Sequence, residues 1–196
     1  MKHIVLVLVF VCFSVFTSAQ QSAAPKVIHF KELQKFLPTE APTGFTKAKP
    51  KGQTVSTSGI SSSNATVEFS ALKKERQLQT MDDGSMDSIE VDITLRVNVE
   101  ITDYAGMGEG ISASMQMISG MDYDNETEDG YERSVTVNGF KGVEKSSVQE
   151  SSRSCGLQLA VGNRFIVNVT GAGFADAAIL RGLLESMDLK KLEQAK

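Results

Sequence analysis

The sequence predicts an α+β fold, an antiparallel β-sheet with helices packed on its apolar face, and three observations lead there. Residues 89–101 alternate without a break, with Ile89, Val91, Ile93, Leu95, Val97, Val99 and Ile101 separated by Glu90, Asp92, Thr94, Arg96, Asn98 and Glu100. Period-two alternation puts the two sets on opposite faces of a strand roughly 40 Å long at about 3.3 Å per residue. One face is greasy and the other wet, the mark of an antiparallel sheet. The Asn138-Gly139 dipeptide is the strongest hairpin signal in the chain. Two amphipathic patterns, near residues 107–121 and 176–187, supply helices with one apolar face to lay on that sheet.

Taken in order, the chain opens with Lys2 and His3, an apolar run from Ile4 to Phe16, and Thr17-Ser18-Ala19 before Gln20. These are the parts of a secretory signal peptide, with cleavage predicted after Ala19. The run of about 13 residues is shorter than the roughly 20 that cross a bilayer as a helix, so no stable membrane span is expected. Val9-Phe10-Val11 lacks the small residue that a lipoprotein cleavage site places ahead of its cysteine, here Cys12. The predicted plan is a signal peptide over 1–19, an N-terminal arm and linker over 20–59, and one α+β domain over 60–196. The mature protein is then secreted or periplasmic.

All four prolines, Pro25, Pro38, Pro42 and Pro50, lie within the first 50 residues. Within it, residues 27–30 suit a short strand, and Leu33, Phe36 and Leu37 share one face of a two-turn helix stopped by Pro38. Residues 42–59, rich in Lys, Gly, Ser and Thr, read as a loop. Ala65, Val67, Phe69 and Ala71 alternate with polar residues, after which Leu72 and Leu78 fall on the other parity, so a bulge is expected near Leu72 or Lys73. Asp82-Asp83-Gly84 turns the chain into the long strand as a hairpin. On a helical wheel Met107, Ile111, Met115, Met117, Ile118 and Met121 fall within an arc of roughly 160°.

An acidic loop is expected over residues 122–130. A two-residue turn at Asn138-Gly139 sets Arg133 opposite Glu144 and Glu132 opposite Lys145, both pairs of opposite charge. Cys155, Leu157, Leu159 and Val161 face the same way as Phe165, Val167 and Val169 only if an odd number of residues joins them, which selects the loop Gly162-Asn163-Arg164. Ile179, Leu180, Leu183, Leu184 and Met187 share one face of the last helix, and Asp188 is placed to cap a short turn that follows.

Composition excludes several chemistries. Without the signal peptide the chain has 19 Lys and Arg against 24 Asp and Glu, a net charge of −5, and no basic run, so nucleic acid is not an expected partner. Cys155 is then the only cysteine; no internal disulfide is possible, and its apolar parity predicts a buried, inert thiol. His29 is the only histidine outside the leader, which leaves no ligand set for tetrahedral zinc, and no cofactor is expected. Gly110-Ile111-Ser112-Ala113-Ser114 departs from the nucleophile elbow at its last residue. Asp122, Asp124, Glu126, Glu128 and Asp129 are dense enough for calcium, but Thr127 and Arg133 stand where an EF-hand loop needs Gly and Glu. Gly106, Gly108 and Gly110 lack the third glycine of a dinucleotide loop, since Ile111 occupies its place.

The Phe30-Lys31-Glu32-Leu33 run, the Ile101-Thr102-Asp103-Tyr104-Ala105-Gly106 junction, the Val137-Asn138-Gly139-Phe140 turn and the closing Met187-Asp188-Leu189-Lys190-Lys191-Leu192 resemble a family of uncharacterised exported bacterial proteins. That likeness implies export and no particular reaction. In architecture the late hairpin, the Val161-Gly162-Asn163-Arg164-Phe165 turn and the C-terminal helix are similar to the PsbP-like α-β-α sandwich, which implies an accessory or binding role; the strict alternation of the long strand departs from it.

The sequence therefore points to an exported, non-catalytic accessory or binding domain acting on an unknown protein partner; the polar face of Asp92, Thr94, Arg96, Asn98 and Glu100 reads first as a plain solvated face and second as a surface for that partner. A second reading is a carrier of a small apolar ligand held between the sheet and a helix lined by Met107, Ile111, Met115, Ile118 and Met121. Packing of Met115, Met117 and Met121 in the core competes with a copper(I) site built from the same three. The third is a carboxylate-dependent enzyme using Asp103 and Tyr104, beside the glycine-rich loop.

Overall fold

The computed structural model describes residues 26–57, 60–81, 84–107, 115–118, 120, 122–149 and 152–196. Strands β1 (Thr46–Lys47), β2 (Lys51–Thr57), β3 (Ile60–Thr80), β4 (Met86–Gly106), β5 (Asp124–Thr127), β6 (Gly130–Val137), β7 (Phe140–Gln149), β8 (Ser152–Val161) and β9 (Phe165–Ala172) form a single sheet. Helices with described bounds are α1 (Phe30–Leu33), with a 3-10 turn (Gln34–Phe36) behind it, α2 (Ala178–Ser186) and α3 (Leu189–Glu193), and residues 115–118 and 120 are also helical. Strand order is β1-β3-β4-β9-β8-β7-β6-β5, with β2 also on β3, and every pair is antiparallel. Two meanders thus meet where β4 pairs with β9.

The alternation sets the faces. Val97, Val99 and Ile101 of β4, Val67 and Phe69 of β3, and Val167 and Val169 of β9 are all fully enclosed, on one side of the sheet. Leu33 and Leu37 near the N-terminus, Leu180 and Leu184 of α2, and Leu189 and Leu192 of α3 belong to the same buried cluster. Each such side chain contributes about 1.5–3 kcal/mol relative to exposure.

The hairpin registers follow the turn chemistry. Arg133 is opposite Glu144 and Glu132 opposite Lys145 across a two-residue turn at Asn138 (φ 52°) and Gly139 (φ 88°), the left-handed pair that such a turn requires. Val161 pairs with Phe165, so Gly162, Asn163 and Arg164 form the three-residue loop. Asp188 caps α3 by accepting from Lys191 N at 3.0 Å.

Four expectations are corrected. The predicted loop over 42–59 contains β1 and β2, paired along the edge of β3; β2 is almost wholly exposed and is held by its backbone, which hydropathy does not register. Residues 27–29 are not a strand, and His29 instead caps α1 by accepting from Lys31 N at 3.3 Å. The acidic stretch holds β5, a hairpin partner of β6 exposed along its length. No bulge occurs near Leu72: the register between β3 and β4 runs unbroken from Ser63 to Thr80 and shifts only between Ser61 and Ser63. There Gly106 lies so close to Ser61 that an added Cβ would stand 2.5 Å from its carbonyl oxygen. The change of apolar parity at Leu72 has another cause, described next.

Candidate functional site

β3 and β4 are 21 residues each, and their neighbours are much shorter. On one side β1 reaches only Ser70; on the other β9 pairs with residues 96–103 of β4 and stops. From about residue 71 on β3 and residue 95 on β4 the pair continues alone as a two-stranded ribbon, about 30 Å long at about 3.4 Å per residue. With no third strand among the described residues and neither face fully enclosed, little there enforces which parity is apolar. Ile89, Val91, Ile93 and Leu95 continue the core-side stripe but are only half-buried. Leu72 (78 % exposed), Leu78 (71 %) and Met86 (66 %) point to the other face, and Met81 (43 %) stands in the turn.

Charge is also uneven. Residues 71–95 carry Lys73, Lys74 and Arg76 against Glu75, Asp82, Asp83, Asp87, Glu90 and Asp92, a net −3 in a chain whose total is −4. The cations all lie on β3, and β4 has only carboxylates over residues 86–95. Lys74 Nζ reaches Glu90 Oε2 at 3.0 Å.

Among the described residues no strand pairs with the outer edge of β4 along the ribbon. Tyr104 N donates to Arg164 O at 3.0 Å, so the peptide groups of even-numbered residues face the β9 side and those of odd-numbered residues face β3. Pairing with β3 is regular down to Met86, which carries this alternation to Thr94, Asp92, Glu90 and Ser88. Ser88 N accordingly donates to the Asp87 side chain at 2.7 Å rather than to β3. β9 leaves this lane at Gly173, whose φ of 88° turns the chain away, its N–H donating to Arg153 O at 2.9 Å. A Cβ on Gly173 would stand 3.0 Å from Thr94 O, so a larger residue there would press on the ribbon's root. Where β9 departs, a cleft of about 360 Å³ opens between Ile93 and Gln77 of the ribbon, Gln149 of β7 and Ser154 of β8. Arg153 and Glu75 bridge across its lining at 3.0 Å.

Two buried carboxylates lie in the body. Asp103 accepts from Ile28 N (2.7 Å), Ala105 N (3.0 Å), Arg164 Nε (2.9 Å) and Arg164 Nη2 (2.8 Å). Four donors occupy its oxygens, and Arg164 also donates to the carbonyls of Lys26 and Ala195. The Asp103 and Arg164 pair ties both ends of the described chain to the sheet. Glu144, fully enclosed, accepts from Tyr131 Oη (2.8 Å), Arg133 Nε (3.2 Å) and Nη2 (2.9 Å), and from Arg181 Nε and Nη2. Burial pushes the Glu144 carboxyl up, and the bonds from Arg181, Tyr131 and Arg133 outweigh it and hold the group below its ordinary range.

Of the predicted apolar-ligand lining, Met115 is enclosed (1 % exposed), Ile118 is half-buried, and Met107 (38 %) stands in a turn after β4. Ile111 and Met121 lie outside the described residues, as do Ser112, Gly108 and Gly110. Met117 is 63 % exposed: it and Met115 are the two ends of the predicted arc, so burying one end turns the other out. The predicted polar surface is divided, with Asp92 and Thr94 on the ribbon, while Glu100, in the body, accepts from Asn64 Nδ2 at 3.2 Å. Cys155 is buried, and its thiol is pushed up to about 12 by burial and then by the charges of Asp176 and Glu144. Among the described residues no three His, Cys, Asp or Glu side chains meet in a way that would hold a metal ion. None of the described helices is long and apolar enough to cross a membrane.

Sequence reasoning named the strand and its faces but missed the open edge. The signal available was length: a 13-residue alternation beside alternations spanning seven residues in residues 155–161 and five in residues 165–169. No protein family, curated protein or solved structure matches this chain, so the site is read from its own residues.

Proposed function

We propose that this protein is an exported, non-catalytic accessory protein that binds another protein through the ribbon of residues 71–95. The ribbon's composition carries the reading. A solvated two-stranded extension is marginally stable at best and is ordinarily polar on both faces. This one has apolar side chains on both, half-buried at Ile89, Val91 and Ile93 and open at Leu72, Leu78 and Met86. Contact with a partner offsets the cost of keeping such side chains in water. In this reading the body is a platform, its helices covering the apolar face through Leu180, Leu184, Leu189 and Leu192, and the first 19 residues direct export.

Site-specific photo-crosslinking in the producing cell tests this. A benzophenone amino acid at position 78 or 86 should give a discrete adduct with one partner, and the same group at Val55, exposed on β2 outside the ribbon, should not. Equal adducts from all three positions, or none from the ribbon, would refute it.

A further inference from the structure

We infer that the edge of β4 over residues 88–92, which no described strand pairs, receives an extended, cationic segment of the partner as an added strand, antiparallel to β4 and in line with β9. Lys or Arg at alternate positions then lie beside Glu90 and Asp92, with apolar residues between them beside Val91 and Ile93. This rests on the binding reading above and specifies its chemistry.

Three observations support it independently. The peptide groups of Ser88, Glu90 and Asp92 face the vacated lane, in the phase that already pairs with β9 at Arg96 and beyond. Strand addition requires such a row of unpaired donors and acceptors. Where β9 turns away at Ala172 and Gly173, a cleft of about 360 Å³ lies over the face of Ile93 and Gln77, so the body stands off from the ribbon beside the lane. The charge then chooses the occupant. Glu90 and Asp92 are the charged side chains of β4 next to the lane, while Lys74 and Arg76, opposite them on β3, stand one strand farther away, which favours Lys or Arg in the lane over an anionic segment, lipid or nucleic acid.

The same charges count against a second copy of this chain. Two-fold pairing of β4 with itself overlaps most when centred on residue 90, 91 or 92. Each of those registers sets a carboxylate of Glu90 or Asp92 directly opposite another. Like charges in opposed positions destabilise a strand pair.

The test uses the full mature chain and a fluorescein-labelled nonapeptide of alternating lysine and valine, read by anisotropy. A peptide of the same composition with its lysines grouped at one end is the control. The alternating peptide should bind saturably and at least tenfold more tightly than the control. Asp92→Asn should weaken it about two- to fivefold through charge alone. Asp92→Pro, which also removes an edge N–H without touching the pairing to β3, should weaken it at least tenfold while the melting temperature is kept. Glu90→Pro serves the same purpose if Asp92→Pro does not fold.

Equal binding of both peptides, or full binding by a folded proline variant, would overturn the inference. So would a dimer in sedimentation that Asp92→Pro dissolves, since a second copy would then own the edge. Crosslinks from positions 78 and 86 without peptide binding would remove strand addition and leave the ribbon a binding surface; failure of both would remove the binding reading itself.

Discussion

Arg181→Met probes the buried ion cluster that fastens α2 to the sheet. Glu144 is fully enclosed and accepts five hydrogen bonds, two of them from Arg181. Methionine keeps most of the arginine stem's volume and removes both donors. Breaking a buried pair by deleting one partner costs about 3–5 kcal/mol. Here Arg133 and Tyr131 remain, and the Arg181 side chain is 40 % exposed, so solvent already screens part of the attraction. The expected loss is about 2–3 kcal/mol. The pH dependence follows from the direction of the Glu144 shift. A carboxyl held below its ordinary 4.5 when folded stabilises fully above that value and loses its contribution as pH falls through the lower folded value. Urea unfolding should therefore show the full Arg181→Met penalty at neutral pH and a shrinking one below about pH 4.5. Adding Glu144→Leu to Arg181→Met should recover part of the loss, because an apolar replacement needs no counter-charge. Unchanged urea midpoints at neutral pH, or a penalty that persists undiminished in acid, would refute the role given to this cluster.

Cys155 should react with a thiol reagent only after denaturation, because burial and then the Asp176 and Glu144 charges raise its thiol to about 12; fast labelling of the native protein would contradict this. Met115→Ala should cost about 2–5 kcal/mol in thermal or urea unfolding, whereas Met117→Ala should change stability by less than about 0.5 kcal/mol, since one is enclosed and the other open. Gly139→Ala should cost about 1–2 kcal/mol from its φ of 88° alone, because nothing lies within 4 Å of the added Cβ; an unchanged melt would mean the turn can relax.

Much of the sheet was legible because local chemistry fixes it. Asn138-Gly139 demands a two-residue turn, and that turn alone places Arg133 opposite Glu144. The odd loop at Gly162 follows from the parity of Leu159 and Val167. What escaped was structure without an apolar signature. β2 buries almost nothing and is specified by ladder bonds to β3. The turn places Glu144 opposite Arg133 but not its depth; its burial shows only when the second hairpin sets it opposite Leu157, on the core face, and Arg181 arrives from a helix 37 positions on. The ribbon was misread as a bulged strand because Leu72 and Leu78 break parity. A bulge is the right inference for a strand with one enclosed face, and this stretch has none.

Along residues 88–92 the outer row of β4 peptide groups meets no described strand. Residue-resolved amide exchange measures it directly. In the free protein the amides of Glu90 and Asp92 should exchange much faster than those of Val91 and Ile93, which are bonded to β3, while Asn98 and Glu100, paired with β9, stay protected. With the alternating lysine and valine peptide at saturation, Glu90 and Asp92 should become as protected as their odd-numbered neighbours. No contrast between even and odd positions in the free protein, or no slowing at Glu90 and Asp92 when the peptide is bound, would contradict the account.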